Sequence, residues 1–293
     1  MIIVQIIGGL GNQMFQYAFG RRLADGLGVR LKLDVTPFAT FYDKRRYILG
    51  GLRVEEDLAS THDIDVALQG RFPAARSRLR RVFPSLPPDT GRLVRQEGFA
   101  FDPSMLALKD GSYLEGYWQS ERYFDAVADR LRAEFVPRSP PRAAVAELAV
   151  EMGRGDSVSL HVRRGDYVSE PDVRRIHLVC DESYYARCVE YLAARLDAPR
   201  FYVFSDEPAW ARANLRIPFP TTIVADRCPA TDVEDLWLMT QCHHHVIANS
   251  SFSWWGAWLD ARQPKTVLMP QRWFRDRDPD YSADIRPPGW VVV

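Results

Sequence analysis

The sequence predicts an α/β fold built on parallel sheets, on three observations. Short apolar runs of strand length alternate with helical stretches along the chain. A glycine loop separates the first run from the first helix. In the second half, polar clusters stand at the ends of four successive strand candidates, where open parallel sheets bind their ligands.

Met1–Ile7 reads as a buried parallel strand, too short to span a membrane. Gly8-Gly9-Leu10-Gly11-Asn12 forms the loop, and a helix is expected from Gln13 to Gly26, with Gly28 near its C-terminal end. Val29, Leu31 and Leu33 alternate in a second strand. Residues 36–100 show no clear period and read as short helices and loops. A strand is expected over Gly111–Glu115 and a helix over Ser120–Phe135. Pro137, Pro140 and Pro141 fit neither a helix interior nor a central strand, which sets a domain boundary at 140/141. Beyond it, strands are expected at Ser157–Val162, Phe201–Phe204, Thr221–Val224, His245–Ala248 and Thr266–Met269. Helices are expected near Ser183–Leu196, Ala209–Asn214, Val233–Gln241 and Ser253–Asp260.

The 293 residues are 46% hydrophobic, enough for a real core, and Lys+Arg equals Asp+Glu at 38 each. A net charge of zero gives no global field for nucleic acid, so anion binding has to be local. The four cysteines form no C-x-x-C pair, and a cytoplasmic setting is expected. No apolar segment approaches 18 residues. The arginine-rich run from Arg71 to Arg81 is a solvated helix face or, as the alternative, a peripheral contact with an anionic membrane.

Five motifs carry the chemistry. Gly8 to Gly20, "GGLGNQMFQYAFG", puts glycines between strand and helix, where backbone N–H groups can meet a phosphate. A dinucleotide reading with Asp34 on a ribose lacks its third glycine, because Met14 stands there. "HVRRGDY", His161 to Tyr167, suits a diphosphate clamp, with a surface ion pair as the bland reading. Alternation sends Arg163 and Arg164 to opposite faces, so one contacts the anion and the other pairs with a carboxylate such as Asp166. "FSDE", Phe204 to Glu207, offers a carboxylate for a ribose or guanine edge, or a cap for the helix after Pro208. In "NSSFSWWGAWL", Asn249 to Leu259, the tryptophans read as core and the serines as a phosphate site. "LEGYWQSERYF", Leu114 to Phe124, reads as a sugar-stacking platform or as core. His243-His244-His245 alternates faces and is not expected to share a metal; Asp63-Ile64-Asp65 and Asp276-Arg277-Asp278 follow no convincing strand and read as solvated.

Together these five motifs, in this order, resemble the α-1,2-fucosyltransferase family of inverting, GDP-fucose-dependent glycosyltransferases. The resemblance implies a GT-B architecture of two Rossmann-like domains facing across a cleft: an acceptor-side domain, 1–140, and a GDP-sugar-binding domain, 141–293. It implies transfer of L-fucose from GDP-fucose to the 2-hydroxyl of a β-galactoside, with no metal or other cofactor. The implied donor contacts are Gly9, Gly11, Asn12, His161, Arg163, Asp206, Asp235, Ser250 and Ser251. Asp235 is the guanine reader, and Arg163 grips the diphosphate. Arg163 and Asp166 are the expected catalytic residues, with Glu170 a second candidate base. Tyr117, Trp118 and Gln119 are the expected acceptor contacts. A nucleotide-binding oxidoreductase using Asp34, and a non-catalytic glycan-binding module using Trp118 and Tyr123, remain as alternatives.

Overall fold

Two sheets, both wholly parallel, organise the chain. The computed structural model describes residues 1–40, 45–68, 92–177 and 180–293; the side chains of Arg92, Asp166, Asp172 and Val173 lie outside that description, as does the arginine run from Arg71 to Arg81. One compact unit comprises Met1–Gly50 and Val54–Glu134, the other Gly51–Arg53 and Phe135–Val293.

In the first unit, β1 (Ile2–Gln5), β2 (Leu31–Asp34), β3 (Arg92–Arg95) and β4 (Ser112–Glu115) lie in the order β2-β1-β4-β3. Ile2, Ile3 and Val4 are all buried, the pattern of a parallel strand covered on both faces. The first helix, Leu10–Leu27, starts three residues earlier than expected. Gly9 is its N-cap, and the Asn12 and Gln13 N–H groups both donate to the Gly9 carbonyl. The loop is therefore Gly8-Gly9 alone, with Gly8 at φ 76°, a backbone region glycine enters without steric cost. Gly28 ends the helix at φ 64°, its N–H returning to the carbonyls of Ala24 and Asp25. Residues 36–100 hold a short helix at Thr61–Leu68, in keeping with the short helices expected there, and strand β3, which was not expected. The helix expected over Ser120–Phe135 is instead two short 3₁₀ turns followed by Ala128–Glu134. It breaks at Phe124, φ −144° and fully buried, because seating that ring in the core outweighs local helix propensity.

The second sheet runs β10-β9-β8-β5-β6-β7, from β5 (Ser157–Val162), β6 (Arg200–Ser205), β7 (Thr221–Ile223), β8 (His244–Val246), β9 (Val267–Met269) and β10 (Val291–Val292). Both faces are covered. Phe201 and Val203 enter one core with Leu160, Tyr184 and Leu192. Their neighbours Tyr202 and Phe204 enter the other with Val145, Leu148 and Leu238, the two-residue alternation of a strand. From β5 the chain proceeds outward through β6 to β7, then returns to β8 on β5's other side. That reversal makes a crevice at the C-terminal ends of β5 and β8, where ligands bind in such sheets. The first sheet has its equivalent between β1 and β4. Among the described residues, no helix is long and apolar enough to cross a membrane.

Candidate active site

The crevice beside β5 begins with His161, the penultimate residue of that strand. Its ring is 6% exposed and tilts 49° against Phe252, 5.8 Å away. Burial, and secondarily the Arg163 charge, pull its pKa down to about 3, so the imidazole is neutral at physiological pH. The Tyr185 hydroxyl donates to the His161 carbonyl at 3.1 Å, while the buried Nδ1 has no partner.

Just past the strand, Arg163 reaches Asp206 from the end of β6, with Nη1 to Oδ2 at 2.9 Å. The other oxygen of Asp206 accepts from the Arg164 backbone N–H at 2.9 Å. A Cβ on Gly165 would stand 2.7 Å from that carboxylate, so this position is kept to glycine by close approach. Arg164 pairs with Glu207 at 3.2 Å and lies 3.9 Å over the ring of Trp210. Asp206 thus neither caps the next helix nor offers both oxygens to a ligand: it holds the clamp arginine. The partner expected for the second arginine, Asp166, has its side chain outside the described residues.

On the opposite side of the crevice, Ser250 is the N-cap of the helix Ser251–Leu259. Its hydroxyl makes no capping bond, so it does not occupy the N–H groups of Phe252 and Ser253 in the first turn, the groups a helix N-terminus turns toward an anion. Trp254, Trp255 and Trp258 are core, packed on one another at centroid distances of 5.0–6.0 Å.

Asp235 sits in the first turn of the helix Asp232–Met239, which is held at both ends. Thr231 and Glu234 form a reciprocal capping box, and Arg142 binds Glu234 through two nitrogens at 2.9 and 2.8 Å. At the other end Arg262 donates to the carbonyls of Thr240, Gln241 and Cys242. In this rigid setting Asp235 Oδ1 is buried without a partner. Burial, then the nearby charges of Asp232 and Glu234, push its carboxyl up to about 7.

In the first unit the glycine loop meets the Leu114–Phe124 motif: the Gln119 side-chain amide donates to Asn12 Oδ1 at 2.8 Å. Gly9 and Gly11 flank the helix start, and Arg45 Nη1 lies 3.5 Å from where a Gly9 Cβ would stand. Sequence reasoning missed Arg45, since it lies in the stretch without period; the signal was the basic run Lys44-Arg45-Arg46. Tyr117 is 39% exposed. Trp118 and Tyr123 are not a platform. Both are fully buried, with the Trp118 ring 4.4 Å from Phe19 and 5.7 Å from Tyr123. Trp118 also has φ 56°, rare for a bulky residue. It is held by Gln96 Oε1, which accepts the backbone N–H groups of Tyr117 and Trp118 at 2.9 Å each.

Asp34, the ribose candidate of the dinucleotide alternative, is already occupied. One oxygen accepts from the Thr36 N–H and hydroxyl, the other from the Tyr113 hydroxyl. The three adjacent histidines go to separate partners: His243 to Ser157, His244 to the Thr266 N–H, and His245 to Ser159 and Asp260. Asp63 accepts from Ser60 and Lys32, which hold it well below the usual carboxylate range, and Asp278 caps the turn at Asp280. Among the described residues no cluster of three His, Cys, Asp or Glu side chains could hold a metal. Asp226, inside the one-turn helix Val224–Arg227 that follows β7, pairs with Arg212.

A strand-end arginine held by a carboxylate, a helix N-terminus across the crevice and an unpaired buried carboxyl oxygen suit a nucleotide diphosphate. Residues 97–293 match the model of glycosyl transferase family 11. The chain is 34% identical over its whole length to an alpha-1,2-colitosyltransferase of Escherichia coli, covering 99% of that protein. It is 30% identical to the Escherichia coli O-antigen biosynthesis glycosyltransferase WbnK, over 91% of this chain and 93% of that one. To human galactoside alpha-(1,2)-fucosyltransferase 1 it is 30% identical over 50% of this chain and 42% of the human protein. Among solved structures, an Arabidopsis thaliana FUT1 mutant in complex with GDP aligns over 91% of this chain and 69% of its own at 12% identity, with a TM-score of 0.49. Escherichia coli ADP-heptose LPS heptosyltransferase II aligns over 100% and 89% at 11% identity, with a TM-score of 0.45. The chain belongs to glycosyl transferase family 11 and is a glycosyltransferase.

Proposed function

We propose that the chain moves L-fucose from GDP-fucose to the 2-hydroxyl of a β-galactoside, with inversion at the anomeric carbon. The observation that carries the nucleotide assignment is the unpaired, buried Oδ1 of Asp235 on a helix fixed at both ends. Guanine presents N1–H and N2–H₂ donors side by side, and a carboxylate accepts both. Arg163 neutralises the diphosphate as it leaves, pre-positioned by Asp206. The N–H groups after Ser250 supply fixed partial charge to the same group. Neutral His161 lines this pocket without adding charge. With guanidinium and helix charge in place, the reading requires no metal. The acceptor proton passes to a carboxylate, for which Asp166 and Glu170 are the candidates. Gly9, Gly11 and Asn12 are assigned to the donor, and Tyr117 and Gln119 to the acceptor. Asn12 and Gln119 already share a hydrogen bond.

The full-length match to a colitosyltransferase favours a second donor, GDP-colitose. Colitose is L-fucose without its 3-hydroxyl, so the same nucleotide site serves both. Turnover of GDP-fucose and GDP-colitose with lactose, with and without EDTA, tests the reading. We expect transfer from at least one of them, undiminished by chelation. Failure of both GDP-sugars alongside turnover of a UDP- or ADP-sugar would overturn it.

A further inference from the structure

A cavity of about 540 Å³ opens beyond β5, lined by Val168, Pro171, Arg174, Arg175, Arg275 and Asp276. None of its three arginines has an ionic partner among the described residues. The one acid among the described lining residues, Asp276, lies 4.0 Å from Arg277, which competes for its charge. Three guanidinium groups around one cavity repel one another. Arg174 and Arg175 stand in the last turn of the helix Pro171–His177, where the helix dipole offsets part of that cost. Arg275 comes from another segment and has no such compensation.

The walls are fixed. The Arg275 N–H donates to the Ile176 carbonyl at 2.7 Å. The Asn249 side-chain amide donates to the His177 carbonyl at 2.6 Å and to the Trp273 carbonyl at 3.0 Å, which ties together the two segments that carry the arginines. The His177 ring stacks on Tyr167 at 5.0 Å and meets Phe274 at 5.4 Å. Tyr167 in turn donates to the Asn249 carbonyl at 3.0 Å. Asn249 immediately precedes Ser250, so one residue braces the arginine cavity and leads into the loop assigned to the donor.

We propose that this cavity is an anion subsite that takes a phosphate group carried by the acceptor. The proposal rests on the assignment of Arg163 and Ser250 to the donor diphosphate, which leaves these arginines for a different anion. Forked guanidinium groups from two braced segments match phosphate oxygens better than point charges do. A chain of zero net charge that gathers three arginines without an ionic partner among the described residues concentrates positive potential there.

The test is a triple variant, Arg174→Gln, Arg175→Gln and Arg275→Gln; all three side chains are exposed, so folding is not at stake. Inorganic pyrophosphate is titrated calorimetrically into protein saturated with GDP. The wild type should bind it, and the variant should lose at least about tenfold in affinity, the scale for several charge-assisted contacts. GDP affinity should be equal in both. No pyrophosphate binding to GDP-saturated wild type, or equal binding to the variant, overturns the proposal. A parallel loss of GDP affinity also overturns it, because the cavity then belongs to the donor. If GDP does not bind the wild type, the donor reading has failed separately. Pyrophosphate titrated alone into the triple variant and into Arg163→Ala then shows whether the cavity arginines bind an anion of their own. A second arm separates sources: competition by galactose 6-phosphate supports an acceptor phosphate. Triple-variant-sensitive sedimentation with phosphatidylglycerol vesicles, without such competition, assigns the site to a lipid surface and overturns the acceptor reading.

Discussion

Replacing Asp235 with asparagine should stabilise the free protein and weaken it as a nucleotide binder, with both effects set by pH. The carboxyl is raised from 3.8 to about 7, first by burial and then by Asp232 and Glu234. Between those values the unfolded chain has lost the proton and the folded chain still holds it. Folding therefore binds a proton in that window, and stability falls as pH rises from about 4 to about 7, then levels off. At about 1.4 kcal/mol per pH unit the ceiling is about 4 kcal/mol. Water reaching this partly exposed residue reduces the cost, and roughly 2 kcal/mol is the expected size. Asparagine keeps the shape and does not titrate. Urea denaturation should find Asp235→Asn equal to wild type near pH 4 and more stable by about 2 kcal/mol at pH 8. GDP binding should move the other way. Wild-type affinity should rise from pH 5.5 to 8 as the acceptor carboxylate forms, while the variant stays flat and binds roughly ten- to a hundredfold more weakly at pH 8. A variant with the wild-type pH profile of GDP affinity would show that guanine is read elsewhere.

Arg163→Lys should lose at least about a hundredfold in kcat/KM, because a point charge does not reproduce a fork held by Asp206; near-normal turnover would remove Arg163 from the leaving-group role. Asp206→Ala should leave GDP-sugar recognition in place but free the Arg163 side chain, costing about tenfold in kcat for one rotamer-rich group no longer held; an unchanged kcat would make the pair incidental. Trp118→Ala should destabilise the first unit by about 3–5 kcal/mol in denaturant, whereas a stable variant with a raised acceptor KM would restore the sugar-platform reading. Gly165→Val should reduce kcat/KM with little change in global stability, since its side chain meets the Asp206 carboxylate; a silent substitution would show that the clamp can shift without loss.

The second sheet was largely legible because each of its central strands is a short apolar run bounded by polar residues, and a parallel sheet places those boundaries at one end. The first unit was harder. β3 reads Arg-Leu-Val-Arg, two apolar residues between charges, which matches a loop as well as an edge strand. The Ser120–Phe135 stretch has helical composition, yet Phe124 is drawn into the core and breaks the run. Partners across long sequence separations leave no local trace. Asn12 meets Gln119 across 107 residues, and the Arg164 N–H meets Asp206 across 42.

A motif letter does not reveal whether its polar atoms are already used. Gln13 belongs to the glycine-loop motif, but both ends of its side chain are occupied: it donates to the carbonyls of Gly8 and Arg46 and accepts from the N–H groups of Ile48 and Leu49. Gln16 likewise accepts from Ile7 and donates to Gly116, and Asp34 is satisfied on both oxygens. These residues build the loop. His161 Nδ1 and Asp235 Oδ1 are buried and unpaired. A buried polar atom without a partner costs about 1–3 kcal/mol, and a ligand that completes the bond recovers that cost. Construction residues and contact residues thus look alike in the sequence and part only when each donor and acceptor is traced to its partner.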